Sequence, residues 1–148
     1  MKQAVYHSPF GPFALIEEGG QITRIDWSGR RSDPTALLRE ACRQLDAYFD
    51  GSRTSFDLPL DMGSGFQAEM RAAMLAIPYG QTRSYGDLAQ DLGRPAQAIG
   101  QACGANPIPI LIPCHRVLGA KGLGGFSAPG GVETKVALLK LEGAGLLI

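Results

Sequence analysis

The sequence predicts an α+β chain in two parts, a small antiparallel-sheet lobe with one helix and then a helical lobe carrying a helix-turn-helix. Three observations carry this. Strand-like runs at hairpin spacing are confined to about the first 30 residues, helical stripes dominate afterwards, and two short helical signals flank Gly93-Arg94-Pro95. The 148 residues, 45% hydrophobic, suffice for one good core or two small lobes.

The elements follow in chain order. Val5 to His7, Phe13 to Glu17 and Gln21 to Trp27 alternate with the turn signals Pro9-Phe10-Gly11-Pro12 and Gly19-Gly20, which makes a three-stranded antiparallel piece. Asp33-Pro34 reads as a capping carboxylate and a first-turn proline, Gly51 as the stop of the same helix. Leu38, Cys42, Leu45 and Phe49 share one face of it, so Cys42 is expected to pack. Ser52 to Gly65 has no period and serves as connector, which sets the lobes at residues 1–62 and 63–148. Phe66, Met70, Ala73, Met74 and Ile77 form the next helical stripe, ended by Pro78 and Gly80. Ser84-Tyr85-Gly86-Asp87 fits a capping box opening a short helix, and Pro95 can open another that runs to Gly104. A last helix is expected from near Val132 to Gly143.

Charge excludes less than it first suggests. Lys+Arg 14 against Asp+Glu 14 gives no global attraction to nucleic acid or to an anionic membrane. The total hides a split, however: residues 1–62 carry net −2 and residues 63–148 net +2, so the second lobe is the side that would face a polyanion. No run approaches the roughly 20 apolar residues of a membrane span, and the start lacks a secretory core, so no membrane partner and a cytoplasmic location are expected. Three Cys without close spacing and two His imply neither a disulfide framework nor a metal site.

The second helix of the pair is poor in base-reading side chains: after Arg94 come Ala96, Gln97, Ala98, Gly100, Gln101, Ala102 and Gly104. Such a helix either packs tightly inside the protein or brings its backbone close to a narrow groove. The chemistry sits further on, in Asn106-Pro107-Ile108-Pro109-Ile110-Leu111-Ile112-Pro113-Cys114-His115-Arg116. This stretch reads as a short buried strand or extended segment delivering a thiol beside an imidazole and a guanidinium, neighbours that favour the nucleophilic thiolate. In an extended chain Cys114 and His115 point to opposite faces, so a bridging water would have to relay the proton. Glu142, in a helix's last turn where the macrodipole disfavours a negative charge, is either the carboxylate that orients His115 or a solvated surface residue. Gly122 to Gly131 lacks phosphate-loop and dinucleotide patterns, which rejects a nucleotide cofactor and leaves a wall against which a flat ligand could approach backbone amides.

Pro113-Cys114-His115-Arg116-Val117, the Asn106-Pro107-Ile108-Pro109 lead-in, Ile77-Pro78-Tyr79-Gly80, Ser84-Tyr85 and Glu142-Gly143 together closely resemble the O6-alkylguanine-DNA alkyltransferase family. The likeness covers nearly the whole chain, including Gln44 to Phe49 and Phe56 to Leu60. It implies a ribonuclease-H-like first lobe and a winged-helix-like second lobe with a helix-turn-helix that enters the minor groove. The partner would be double-stranded DNA containing O6-alkylguanine, met by a monomer, with the damaged base flipped into a pocket. Cys114 would take the alkyl group from O6 irreversibly, O4-alkylthymine being a further substrate, with no cofactor. His115 would accept the thiol proton through water, Glu142 would orient the ring, Asn106 would support the network, and Tyr85 would rotate the nucleotide and donate to guanine N3. Ser127 and loop amides would face O6, Pro109 would wall the pocket, and Arg94, Gln97, Ala98, Gly100, Arg116 and Phe126 would contact DNA or base.

Three positions depart from the family pattern: Gln97 replaces an arginine finger, Phe126 a loop tyrosine, and Arg71 a tryptophan, with Ala128-Pro129 inserted after Ser127. Two other readings compete with repair. A lesion sensor that binds without transferring would need no reactive cysteine, which Cys114 opposes. A Cys-His hydrolase or acyltransferase would use the thiol and imidazole alone.

Overall fold

The computed structural model describes residues 1–119, 122–126 and 128–144 and divides the chain into two compact units, Met1–Asp61 and Met62–Ile148. In the first unit, β1 (Lys2–Ser8), β2 (Gly11–Glu18) and β3 (Gln21–Asp26) form an antiparallel sheet in the order β1-β2-β3. Gly19 and Gly20 link β2 to β3, both at positive φ, the geometry a two-residue hairpin turn requires. Phe13, Leu15, Leu38, Leu45 and Tyr48 are buried between this sheet and α1 (Ala36–Phe49).

Two expectations here need correction. The cap of α1 is Thr35, whose Oγ1 accepts from Leu38 N at 3.2 Å, not Asp33. Asp33 is instead taken by β1: its carboxylate accepts from Gln3 N at 2.9 Å and its own N–H donates to Gln3 O at 2.8 Å. The connector is also more ordered than its composition suggests, because Ile22 bonds Pro59 O and Asp61 N on either side of Leu60, and the buried Gln44 amide grips both backbone groups of Asp57. Cys42 is half-buried on α1, and burial pushes its thiol up from the ordinary range, as suits a packing residue.

The second unit holds α2 (Gly65–Leu75), α3 (Tyr85–Leu92), α4 (Ala96–Gly104) and α5 (Val132–Leu141). Ser84 and Asp87 complete the capping box at the start of α3, and Gly93, in the left-handed region at φ 65°, turns the chain toward α4. A parallel pair of β4 (Arg83–Ser84) and β5 (Val117–Leu118) ties the entrance of this helix-turn-helix to the segment after Cys114. Along α4 the residues Ile99, Ala102 and Cys103 are buried, whereas Ala96, Gln97, Gln101 and Gly104 are exposed. One face of this helix therefore packs inside the unit, and the other is left open.

Residues 106–113 are a fastened loop rather than a strand. The Asn106 amide donates to Ile112 O at 3.0 Å and accepts from Ile108 N at 3.1 Å, closing the loop on itself. Prolines 107, 109 and 113 have no N–H to offer a ladder. Ile110 sits at φ 73°, a conformation a β-branched side chain rarely adopts and one that costs on the order of 1–3 kcal/mol. The strain lies four residues before Cys114, and the closed loop holds it.

Candidate active site

Cys114 opens a single 3₁₀ turn, Cys114–Arg116, so three consecutive side chains spread around the turn axis instead of alternating. This replaces the extended geometry expected from sequence. Cys114, 3% exposed, lines a cavity of about 370 Å³ together with Tyr85, Gly100, Cys103, Gly104, Gly125 and Phe126. His115 and Arg116 both turn to Glu142.

The Glu142 carboxylate is the hub of a buried cluster. It caps the C-terminus of α5 and is 4% exposed, which removes the surface alternative. Its Oε2 stands 2.7 Å from His115 Nε2, and Arg116 forks onto both oxygens, Nε to Oε1 at 2.8 Å and Nη2 to Oε2 at 3.0 Å. Two guanidinium donors keep Glu142 an acceptor, so His115 Nε2 carries the hydrogen and Nδ1 keeps its lone pair. Nδ1 is buried and has no hydrogen-bond partner among the described residues. Burial holds the His115 pKa below the ordinary imidazole range, against the opposing pull of the Glu142 hydrogen bond. The ring is thus neutral at neutral pH, as a proton acceptor must be.

The motif Ile77-Pro78-Tyr79-Gly80 supports this hub from the other side. Ile77 O accepts Arg116 Nη1 at 2.8 Å, and Tyr79 donates its hydroxyl to Leu141 O at 3.2 Å. A Cβ at Gly80 would stand 3.1 Å from Glu142 O, so glycine lets the chain approach the helix end.

Tyr85, the first residue of α3, packs its ring on Gly100 of α4, where an added Cβ would come within 3.3 Å. Gly124 comes close to its hydroxyl, where a Cβ would come within 2.9 Å. Burial pushes the phenol up, with the neighbouring thiols adding to the shift, so Tyr85 stays a protonated donor at the cavity. Phe126 lines the same cavity and meets His115 edge-on, centroids 6.5 Å apart.

Of the remaining sequence-assigned residues, Arg116 is the one the structure turns away from its expected role. Arg116 does not face outward to DNA or base: 7% exposed, its guanidinium is consumed by Glu142 and Ile77 because the 3₁₀ turn points it inward. Pro109 is buried within the closed loop, and the cavity is lined by other residues. Asn106 grips its own loop as well as facing the nucleophile. Arg94 is half-exposed but engaged with α2, 4.6 Å over the Phe66 ring and 3.5 Å from Glu69. Gln97 lies exposed on the first turn of α4, with Ala98 half-buried beside it. Ser127 lies outside the described residues.

Lys135 escaped the sequence reading. It is fully buried in α5, donating from Nζ to Val117 O at 2.7 Å and Gly125 O at 3.2 Å, which ties the exit of the 3₁₀ turn to the glycine-rich wall. Burial holds its pKa below the ordinary lysine range, against the opposing electrostatic pull of the Cys103 and Cys114 thiols. The signal was present as helical phase: 135, 138, 139 and 142 fall on one buried face of α5. Among the described residues no group of three or more His, Cys, Asp or Glu side chains could hold a metal ion.

Known proteins resemble this chain over both of its units. The family described as 6-O-methylguanine DNA methyltransferase, ribonuclease-like domain, matches residues 1–62, and its DNA binding domain matches residues 65–144. A methylated-DNA–protein-cysteine methyltransferase of Mycobacterium bovis is 44% identical over 147 residues, covering 91% of this chain and 88% of that protein. One from Methanosarcina acetivorans is 41% identical, covering 97% and 99%. The crystal structure of Mycobacterium tuberculosis OGT in complex with DNA superimposes with TM-score 0.84 at 43% identity, covering 97% of this chain and 93% of the other.

Proposed function

Because the chain belongs to the 6-O-methylguanine DNA methyltransferase family, we propose that it repairs DNA by moving the alkyl group from O6 of guanine onto the sulfur of Cys114, once per molecule. The observation that carries the reading is a thiol at a cavity whose adjoining imidazole is buried, neutral and oriented by a carboxylate.

His115 Nδ1 takes the Cys114 proton through a bridging water, and Glu142 accepts the Nε2 hydrogen and stabilises the imidazolium that forms. The thiolate then attacks the alkyl carbon in line. The C–S bond forms as the C–O bond breaks, and the electron pair returns to guanine, where the Tyr85 phenol donates toward N3. The products are an S-alkylcysteine and a guanine anion, which becomes unmodified guanine when the proton taken by His115 returns to the base through water. A thioether has no route back to a thiolate with the groups present, so the protein is consumed. No cofactor enters the balance.

DNA docks on the helix-turn-helix, with the exposed, uncharged side of α4 allowing close approach to the minor groove and the alkylated base turned into the cavity. The +2 balance of residues 63–148 supports this face over the first lobe. The protein acts as a monomer in the cytoplasm. The test is to incubate it at equimolar ratio with duplex DNA carrying labelled O6-methylguanine: label on the Cys114 peptide is expected, and unlabelled Cys114 with label retained by DNA overturns the reading.

A further inference from the structure

Two thiols line the cavity, and the transfer uses one. Cys103 completes the buried face of α4 beside Ile99 and Ala102, 5% exposed, with its sulfur 3.6 Å from the carbonyl oxygen of Cys114. Both side chains line the same cavity, and the two thiols bias each other's ionisation, Cys103 upward and Cys114 downward. A thiol has one hydrogen to donate. While Cys114 is protonated, the Cys114 carbonyl is the better acceptor for it. Once Cys114 ionises, its sulfur becomes the stronger acceptor, because hydrogen bonds to a charged atom are about twice as strong as neutral ones.

We propose that Cys103 is a second working thiol of the site, whose S–H swings from the Cys114 carbonyl to the Cys114 sulfur as that sulfur ionises and holds it as a thiolate aimed into the cavity. The proposal rests on the reading of Cys114 as the alkyl acceptor. Its proton count closes: the pair releases one proton, to His115, and Cys103 keeps its own. When the alkyl carbon arrives, the new C–S bond removes the anion and the Cys103 hydrogen returns to the carbonyl.

The surroundings assign the charge within the pair. Lys135 from α5, held by Val117 O and Gly125 O, lies within electrostatic reach of both thiols and favours an anion on either, while Tyr85 from α3 and His115, next in the chain, are neutral. The Cys114 thiol is drawn below the ordinary range by the Cys103 hydrogen bond first, against the effect of burial, with the Asn106 amide and Lys135 assisting. Cys103 is pushed far up by the same hydrogen bond and by burial. The pair therefore titrates as a unit whose first anion belongs to Cys114. A side chain at position 103 that only filled space would serve the packing of α4 equally well. A thiol fills it and donates.

The test titrates the ultraviolet thiolate absorbance of Cys114, with Cys114→Ser as the blank, in the wild type, Cys103→Val, Cys103→Ala and Cys103→Ser, alongside the pH–rate profile of methyl transfer. Valine fills the site without donating; serine donates. The valine and alanine variants are expected to titrate about one unit higher and to transfer about tenfold more slowly at neutral pH, with serine restoring most of both. Curves for any folded non-donor variant that superimpose on the wild type overturn the proposal, as does a serine variant that behaves like valine. The titration needs no alkylguanine, so an unmethylated Cys114 with a shifted titration sinks the transfer reading alone.

Discussion

Arg116 and Glu142 meet in a forked ion pair, 2.8 Å and 3.0 Å, with Glu142 wholly out of solvent and Arg116 nearly so. A buried carboxylate that loses this guanidinium fork loses two charge-assisted hydrogen bonds and the positive charge beside it. Arg116→Met is therefore expected to destabilise the fold by about 3–5 kcal/mol, the range seen when one partner of a buried pair is removed. Arg116→Lys should recover little, since an ammonium cannot fork onto two oxygens while also reaching Ile77 O. Urea unfolding curves check both; wild-type stability in the methionine variant would refute the hub.

The pH dependence follows from His115. Its folded pKa lies below the ordinary value near 6.5, so the neutral ring persists on acidification after a free imidazole would have charged. Transfer should hold steady through pH 6.5 and fall only below it. Stability has the same sign: the unfolded chain binds the proton first, so the contribution is complete above pH 6.5 and is lost as pH falls through the folded value. Rate and melting temperature measured across this range should decline together, and a rate already halved at pH 6.5 would contradict a depressed imidazole.

The carboxylate at a helix C-terminus marked Glu142 as unusual but left it either orienting His115 or solvated, and only the family resemblance chose the pairing. The capping box at Ser84 and Asp87 was legible because every bond in it is local. What escaped depends on contacts distant in sequence. Asp33 and Thr35 can each cap a helix, and the choice falls to Thr35 because the Gln3 backbone claims Asp33. Arg116 reads as a cation beside the thiol, and under the resemblance as a DNA or base contact, until the 3₁₀ turn directs it to Glu142 and Ile77. Lys135 sits in the phase of buried leucines, but a lysine on a helix reads as solvated unless two carbonyls are known to await it. The apolar run 106–113 has the composition of a strand, and only the Asn106 amide, bonding at both ends, makes it a loop.

Lys135 gives the third prediction. Lys135→Met keeps the stem but removes the ammonium that joins Val117 O to Gly125 O and balances the thiolate. Two carbonyls lose their donor, which costs about 1–3 kcal/mol each where water cannot replace it. Methyl transfer should slow at neutral pH and recover partly as pH rises and deprotonates Cys114 by mass action. A variant that is less stable yet has an unchanged pH–rate profile would make Lys135 a purely structural tie.

Gln97 tests the DNA face. It is exposed on the first turn of α4, where the resembling family carries an arginine, and its neighbours Ala96 and Gln101 offer no charge. Binding to duplex DNA should accordingly depend only weakly on salt, because few phosphates are neutralised. Gln97→Arg places a cation on that face without disturbing a buried contact. If residue 97 meets the backbone, the slope of log affinity against log salt should steepen by about 0.9, the release of one phosphate's counterions, and affinity at low salt should rise. The labelled-methyl assay at saturating DNA should be unaffected, since Cys114 and its hub are untouched. A slope equal to that of the unsubstituted protein would show that DNA does not lie against this turn of α4 and would move the docking surface elsewhere on the second unit.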